Sequence, residues 1–148
     1  ISEKLEDMGI KVIKHMICND DTEKIKSSIL EIKKEDVDII ICTGGMSVDP
    51  DDLTPAAIKA SGANIVTYGA PVLPGAMFLL GYFNDKTTIM GIPGCAMYKK
   101  TTIFDIVLPY VVAGIKVEKS HIAKLGYGGL CLDCKICNYP NCQFGKGV

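Results

Sequence analysis

The run Val37-Asp38-Ile39-Ile40-Ile41-Cys42 constrains the fold more than any other part of the chain. It is short, almost continuously apolar and rich in β-branched residues, which is how a strand covered on both faces reads. Such a strand needs helices above and below it, and the flanking sequence supplies them. Before it, Ile25, Ile29 and Ile32 recur at three- and four-residue spacing among charged neighbours between Thr22 and Lys34, predicting an amphipathic helix. After it, Thr54 is a good N-cap with Pro55 at the first helical position, predicting a short helix over Ala56 to Ala60 that stops at Gly62, followed by a strand at Ile65 to Thr67. Upstream, Leu5 and Met8 before Gly9 suggest a helix end, and Ile10, Val12 and Ile13 begin a strand ending near Cys18. Downstream, the turn-rich Pro71, Pro74 and Gly75 precede a hairpin, expected at the sheet edge, that ends in a strand over Thr87 to Gly91. A helix carrying Tyr98, Ile103, Phe104 and Val107 then ends or kinks near Pro109. Strand, helix, strand in this order predicts an α/β fold, a mostly parallel sheet with helices on both faces in three layers.

With 148 residues there is room for one such domain and a short appendix: the α/β domain over residues 1–115, then a linker and Cys-rich tail over 116–148. Sixteen basic residues against seventeen acidic ones leave a charge of −1, with no basic run, which argues against a nucleic-acid surface. The longest apolar run, Ile106 to Ile115, is broken by Pro109 and Tyr110 and is too short to span a membrane. Every basic residue is Lys, so an anion site here has to rely on backbone N–H groups, helix N-termini or lysine point charges instead of a guanidinium fork. Seven cysteines, an odd number in a chain this apolar, suggest a reducing, cytoplasmic setting. Cys18 and Cys42 read as small core residues closing their strands. Among the aromatics, Phe78, Tyr82, Phe83, Tyr98 and Phe104 read as core. The opening on Ile1 suggests a piece of a longer polypeptide.

In an open sheet ligands bind beyond the carboxyl ends of the parallel strands, so the loop after Cys42 is the one to inspect. It reads Thr43-Gly44-Gly45-Met46-Ser47-Val48-Asp49-Pro50-Asp51-Asp52-Leu53-Thr54-Pro55. Paired glycines allow positive φ and expose successive N–H groups in an anion-binding nest, to which the Thr43 and Ser47 hydroxyls add donors. A plain tight turn is the competing account. Met46 and Tyr68 border the crevice, where each can either stack on a ligand or pack into the core or rim.

The string TGGMSVDPDDLTPAAI, with DIIIC before it, resembles the hallmark of the molybdopterin-binding domain family, which includes MoaB, MogA and the central domain of MoeA. NDDTEKI (Asn19 to Ile25), PVLPGAMF (Pro71 to Phe78) and GIPGC (Gly91 to Cys95) resemble further family segments in the same order, so the resemblance spans roughly residues 1–115. The family's first strand would lie upstream of Ile1. The resemblance implies a role in molybdenum-cofactor biosynthesis, with molybdopterin cradled by Thr43, Gly44, Gly45, Met46 and Ser47 and flanked by Gly75, Pro93 and Gly94. It implies Asp52 and Asp20 as the acidic residues of catalysis or Mg²⁺ binding, in adenylylation or metal insertion that uses ATP or molybdate, and a dimeric or trimeric assembly. Asp20 and Asp21 also fit a helix cap, while Asp49 and Asp51 read as solvated loop charges. Ala76, Cys95 and Ala96 replace residues that are polar or cyclic in the MoeA branch; the lost polar groups favour an alternative, a non-catalytic pterin-sensing or carrier module.

Cys131, Cys134, Cys137 and Cys142 are spaced C-x2-C-x2-C-x4-C among Gly126, Gly128, Gly129, Gly145 and Gly147. An iron–sulfur cluster, a zinc ion, or free or oxidised thiols all fit that spacing. His121, ten residues ahead, reads as an ordinary surface histidine.

Overall fold

The computed structural model describes residues 1–146; Gly147, one of the glycines expected to let the tail bend, lies outside them. Four strands, β1 (Ile39–Thr43), β2 (Asn64–Tyr68), β3 (Leu79–Tyr82) and β4 (Thr88–Ile92), form one sheet in the order β1-β4-β3-β2. The expected α/β layering is present, and the sheet is mixed: β1 runs parallel to β4, whereas the β4/β3 and β3/β2 pairs are antiparallel. Parallel character is therefore confined to one pair. The hairpin predicted for the edge is β3–β4, and it occupies the centre. Every residue of β4 is buried, the mark of a strand covered on both faces and paired along both sides.

Alternation along the strands divides the core in two. On one face Ile40, Leu79 and Ile89 pack with Ile25 and Ile29 of α2 (Thr22–Lys33) and with Ala57 and Ile58 of α3 (Thr54–Ala60). On the other, Leu80, Met90 and Ile92 pack with Leu5 of α1 (Ser2–Asp7) and with Ile103, Phe104 and Val107 of α4 (Ile103–Val112). Asp21 caps α2 by accepting the Lys24 N–H at 2.9 Å. In α3, Leu53 is the N-cap residue, so the cap expected of Thr54 does not form and its hydroxyl is used elsewhere.

The segment from Ile10 to Cys18, expected as a strand, enters no ladder among the described residues. Ile13 and Ile17 are exposed, and the segment is held by Lys14, which bonds Glu31 of α2 and Glu35 just beyond it at 2.9 Å each. Its apolar residues do not alternate cleanly, so no register buries them on one face. Cys18 is correspondingly exposed, contrary to its reading as a core residue. Tyr98 is also exposed, at 82%, because the final long helix begins only at Ile103, where Thr102 and Asp105 form a capping box. Lys4 donates to both Asp105 carboxylate oxygens, at 2.6 and 2.7 Å, and ties α1 to that cap.

α4 continues through Pro109, which has no N–H to give the Asp105 carbonyl. The Tyr139 hydroxyl supplies the missing donor at 3.1 Å. Residues beyond 115 thereby serve the same core: Val117, Ile122 of α5 (Lys119–Lys124) and Phe144 all join the α4 face. Tyr139→Phe keeps the ring that meets Phe144 edge-on but orphans the carbonyl, and is expected to lower unfolding stability by about 1 kcal/mol in urea titrations.

Candidate functional site

β1 and β4 point the same way, so their carboxyl ends lie side by side, with Thr43 opposite Ile92. β2 ends and β3 begins at this same end of the sheet, with Tyr68 opposite Leu79. The Thr43–Ser47 loop, the Gly69–Gly75 loop and the Pro93–Met97 turn are thus brought to one edge. Asp20, at the entry to α2, reaches it too: its Oδ1 lies 3.6 Å from the point a Cβ on Gly45 would occupy.

Gly44 and Gly45 both have positive φ, +83° and +57°. The Thr54 hydroxyl donates to the Gly44 carbonyl at 2.8 Å, and a Cβ on Gly45 would fall 2.7 Å from that hydroxyl oxygen. The loop can therefore lie against Thr54 only because residue 45 lacks a side chain. Thr54 reads as a cap in the sequence, which it is not; its work as a bolt for the glycine pair comes from the fold. Downstream, the Asp52 carboxylate accepts the Ser47 N–H, and Asp49 accepts the Asp51 N–H at 3.0 Å, so the acidic stretch folds into a self-bonded turn. Among the described residues no protein acceptor takes the N–H of Gly45 or of Met46. The amide of Ser47 is already committed to Asp52, which removes it from the expected nest.

The other expected residues divide by what surrounds them. Thr43 and Ser47 are exposed on the loop, and Gly94, at the start of a 3₁₀ turn, faces open space. Met46 is 2% exposed and lies against Gly91 within the α2/α3 core, so its side chain anchors the loop from below and stacks on nothing outside. Gly75 is buried with φ +123° against Ile103, and Pro93 is buried; both shape the walls. Asp21 is the cap, whereas among the described residues no hydrogen bond or ion pair engages the carboxylate of Asp20, the one of the two that the resemblance singles out. Tyr68 is half exposed, and burial, with a smaller contribution from the Asp52 charge, holds its phenol above its ordinary range, so it stays a neutral donor. An open pocket of about 510 Å³ lies elsewhere, alongside α2 between Ile17, Cys18, Asn19 and Ser27.

The profile of a family described as "probable molybdopterin binding domain" matches residues 1–113. The chain belongs to this molybdopterin-binding domain family. Similar to the domain are a putative molybdopterin biosynthesis protein of Methanocaldococcus jannaschii, 31% identical over 86 residues, which are 58% of this chain and 21% of that protein, and a putative competence-damage inducible protein of Bacillus cereus, 36% identical over 73 residues, 49% of this chain and 18% of that one. The molybdopterin-binding domain thus spans about a fifth of the length of these relatives. In fold it is similar to the MoeA molybdopterin biosynthesis protein of Pyrococcus horikosii, with a TM-score of 0.59 and 22% identity, covering 76% of this chain and 27% of the other. Among the described residues no helix is long and apolar enough to cross a membrane.

Cys42, the penultimate residue of β1, has its thiol pushed up to about 12, chiefly by burial and secondarily by nearby Cys18. A native value above the ordinary 9.0 means that between these two values the unfolded chain holds fewer protons than the native one. Stability is then present below pH 9 and is lost as pH rises toward 12, at up to about 1.4 kcal/mol per pH unit. Urea midpoints measured at pH 8 and pH 10 should fall more steeply for the wild type than for Cys42→Ala.

Proposed function

We propose that the domain binds molybdopterin through its phosphate at the Gly45 and Met46 amides. Support comes from family membership together with one observation: two N–H groups without protein acceptors lie beside two carboxylates, Asp20 and Asp52, at the carboxyl end of the parallel strand pair. Neutral amides suit a chain with no arginine. Mg²⁺ fits this donor set as a shared ion, because it is commonly held by one or two carboxylates plus substrate phosphate oxygens. Asp20 and Asp52 would hold it, and when bound it would neutralise charge during transfer to or from the phosphate. The reaction on this reading is adenylylation or metal insertion in molybdenum-cofactor biosynthesis, with ATP or molybdate as co-substrate. A cytoplasmic setting is supported by seven free cysteines, and a dimeric or trimeric assembly by the resemblance to MoaB, MogA and MoeA.

Calorimetric titration of molybdopterin, or of a pterin phosphate surrogate, into the protein tests the reading. Saturable binding strengthened by Mg²⁺ is expected, and absence of binding sinks it. Asp52→Asn keeps an oxygen acceptor for the Ser47 N–H and should leave the fold intact, while Mg²⁺-dependent turnover falls by about 100-fold or more.

A second reading, binding without turnover, is favoured by the walls. Ala76 presents a methyl group and bonds Ala70 through its backbone, and Cys95 is a partly buried thiol held above its ordinary range by that burial, so neither gives a polar side chain to a phosphate. Equal pterin affinity in wild type and Asp52→Asn, with no turnover in either, selects it.

A further inference from the structure

Nothing in the pterin crevice uses the four tail cysteines, yet the tail is fastened to the crevice's walls. The Cys131 N–H donates to the Leu73 carbonyl at 2.8 Å, and Leu73 donates back to Gly129 at 2.6 Å. Lys99 bonds Asp133 at 2.7 Å, and Cys137 Sγ lies 3.5 Å from Thr101 Oγ1. Cys131 and Cys142 are packed against the α4 core at the two ends of the motif. Between them, residues 132–138 are all exposed, Leu132 and Ile136 included. Among the described residues no backbone–backbone hydrogen bond begins or ends within 132–137. A loop with neither apolar cover nor a ladder lacks the usual means of holding one shape, and bound metal is the common remedy in small cysteine-rich segments.

We propose that Cys131, Cys134, Cys137 and Cys142 form a tetrathiolate centre, for one zinc ion or one iron–sulfur cluster, that clamps the tail onto the Pro71–Gly75 loop and the turn after β4. Among the described residues no three His, Cys, Asp or Glu side chains already surround one ion position. Cys134 and Cys137 stand on the exposed turn between the two cysteines packed against the α4 core, so ligation requires that turn to close. Each thiol releases its proton to solvent on binding. Four soft donors within one short segment match zinc or iron–sulfur chemistry and exclude the hard cations.

The test is metal and sulfide analysis, with an anaerobic visible spectrum, of the full chain purified without oxygen and offered zinc alone or iron with sulfide. One zinc ion, or one sulfide-containing coloured cluster, per chain is expected in the wild type and in Cys18→Ser, and loss of it in both Cys134→Ser and Cys137→Ser. Circular dichroism of those variants, which change only exposed residues, should match wild type. Trypsin should cut after Lys135 at least tenfold more slowly in loaded than in metal-free protein. Only trace metal, or metal retained in both serine variants, overturns the centre; equal cleavage at Lys135 overturns the clamp. Because none of these readouts involves a pterin, their failure is distinct from failure of the pterin reading.

Discussion

Gly75→Ala is expected to unfold the domain at a temperature lower by roughly 10 °C or more. The added Cβ would lie 2.4 Å from Ile103 Cγ2 and 3.1 Å from the Ile103 backbone nitrogen. Neither neighbour can retreat cheaply. Ile103 is fully buried at the first position of α4, its β-branched side chain is stiff in a helix, and its N–H already donates to the Pro74 carbonyl at 3.2 Å. The residue's φ of +123° adds backbone strain of about 1–3 kcal/mol for any side chain, and overpacking adds about 1–3 kcal/mol more. Against a total stability of about 5–15 kcal/mol this is a large fraction. Differential scanning calorimetry measures it, and a loss no greater than that of Gly62→Ala, where φ is +92° but nothing lies within 4 Å, would show that the contact with Ile103 is tolerated.

Gly45→Val should abolish most pterin binding while costing the fold less, about 1–3 kcal/mol. A β-branched residue at φ +57° is a genuine outlier, and its Cβ would collide with the Thr54 hydroxyl that bolts the loop. Either the loop turns over or the Thr54–Gly44 bond breaks, and in both cases the two unpartnered amides lose their common direction. Hydrogen bonds to a charged group are worth about 1.5–3 kcal/mol each, so losing two lowers affinity by about 100-fold or more. Gly62→Ala again serves as the control, placing a side chain at positive φ on an exposed turn, with an expected affinity equal to wild type. Loss of affinity in Gly62→Ala, or none in Gly45→Val, would separate the ligand from the glycine pair.

The parts of this architecture legible in the sequence were those with a strong period or a distinctive local geometry. The apolar run at β1, the three isoleucines of α2 and the paired glycines each report on residues a few positions apart. Pairing did not show, because the place of a strand in a sheet depends on partners far along the chain; the β3–β4 hairpin reads from its turn at Asn84 and Asp85, yet nothing local says that it will lie between β1 and β2. Tyr98 and Ile13 misled for a related reason, since hydrophobic identity alone does not say whether a neighbour is present to cover it. At the proposed site, the sequence pointed to the glycines, Asp20 and Asp52 as candidates, while the choice of Asp21 over Asp20 as the cap, the burial of Met46 and the bolt at Thr54 are products of packing. The Tyr139–Asp105 bond was the least visible: Pro109 reads as a helix end or kink, and the donor for the carbonyl it orphans comes from thirty-four residues further on.

That central hairpin fixes when the crevice can exist. Ile39 meets Thr88, and the glycine pair leaves β1 only after β1 has docked on a strand made much later in synthesis. A nascent chain that has emerged as far as Gly69 carries every residue of the Gly-Gly motif but not yet the strand that β1 pairs with in this sheet. On the proposed reading, shortened versions lacking the hairpin should be blind to the pterin, however intact their motif.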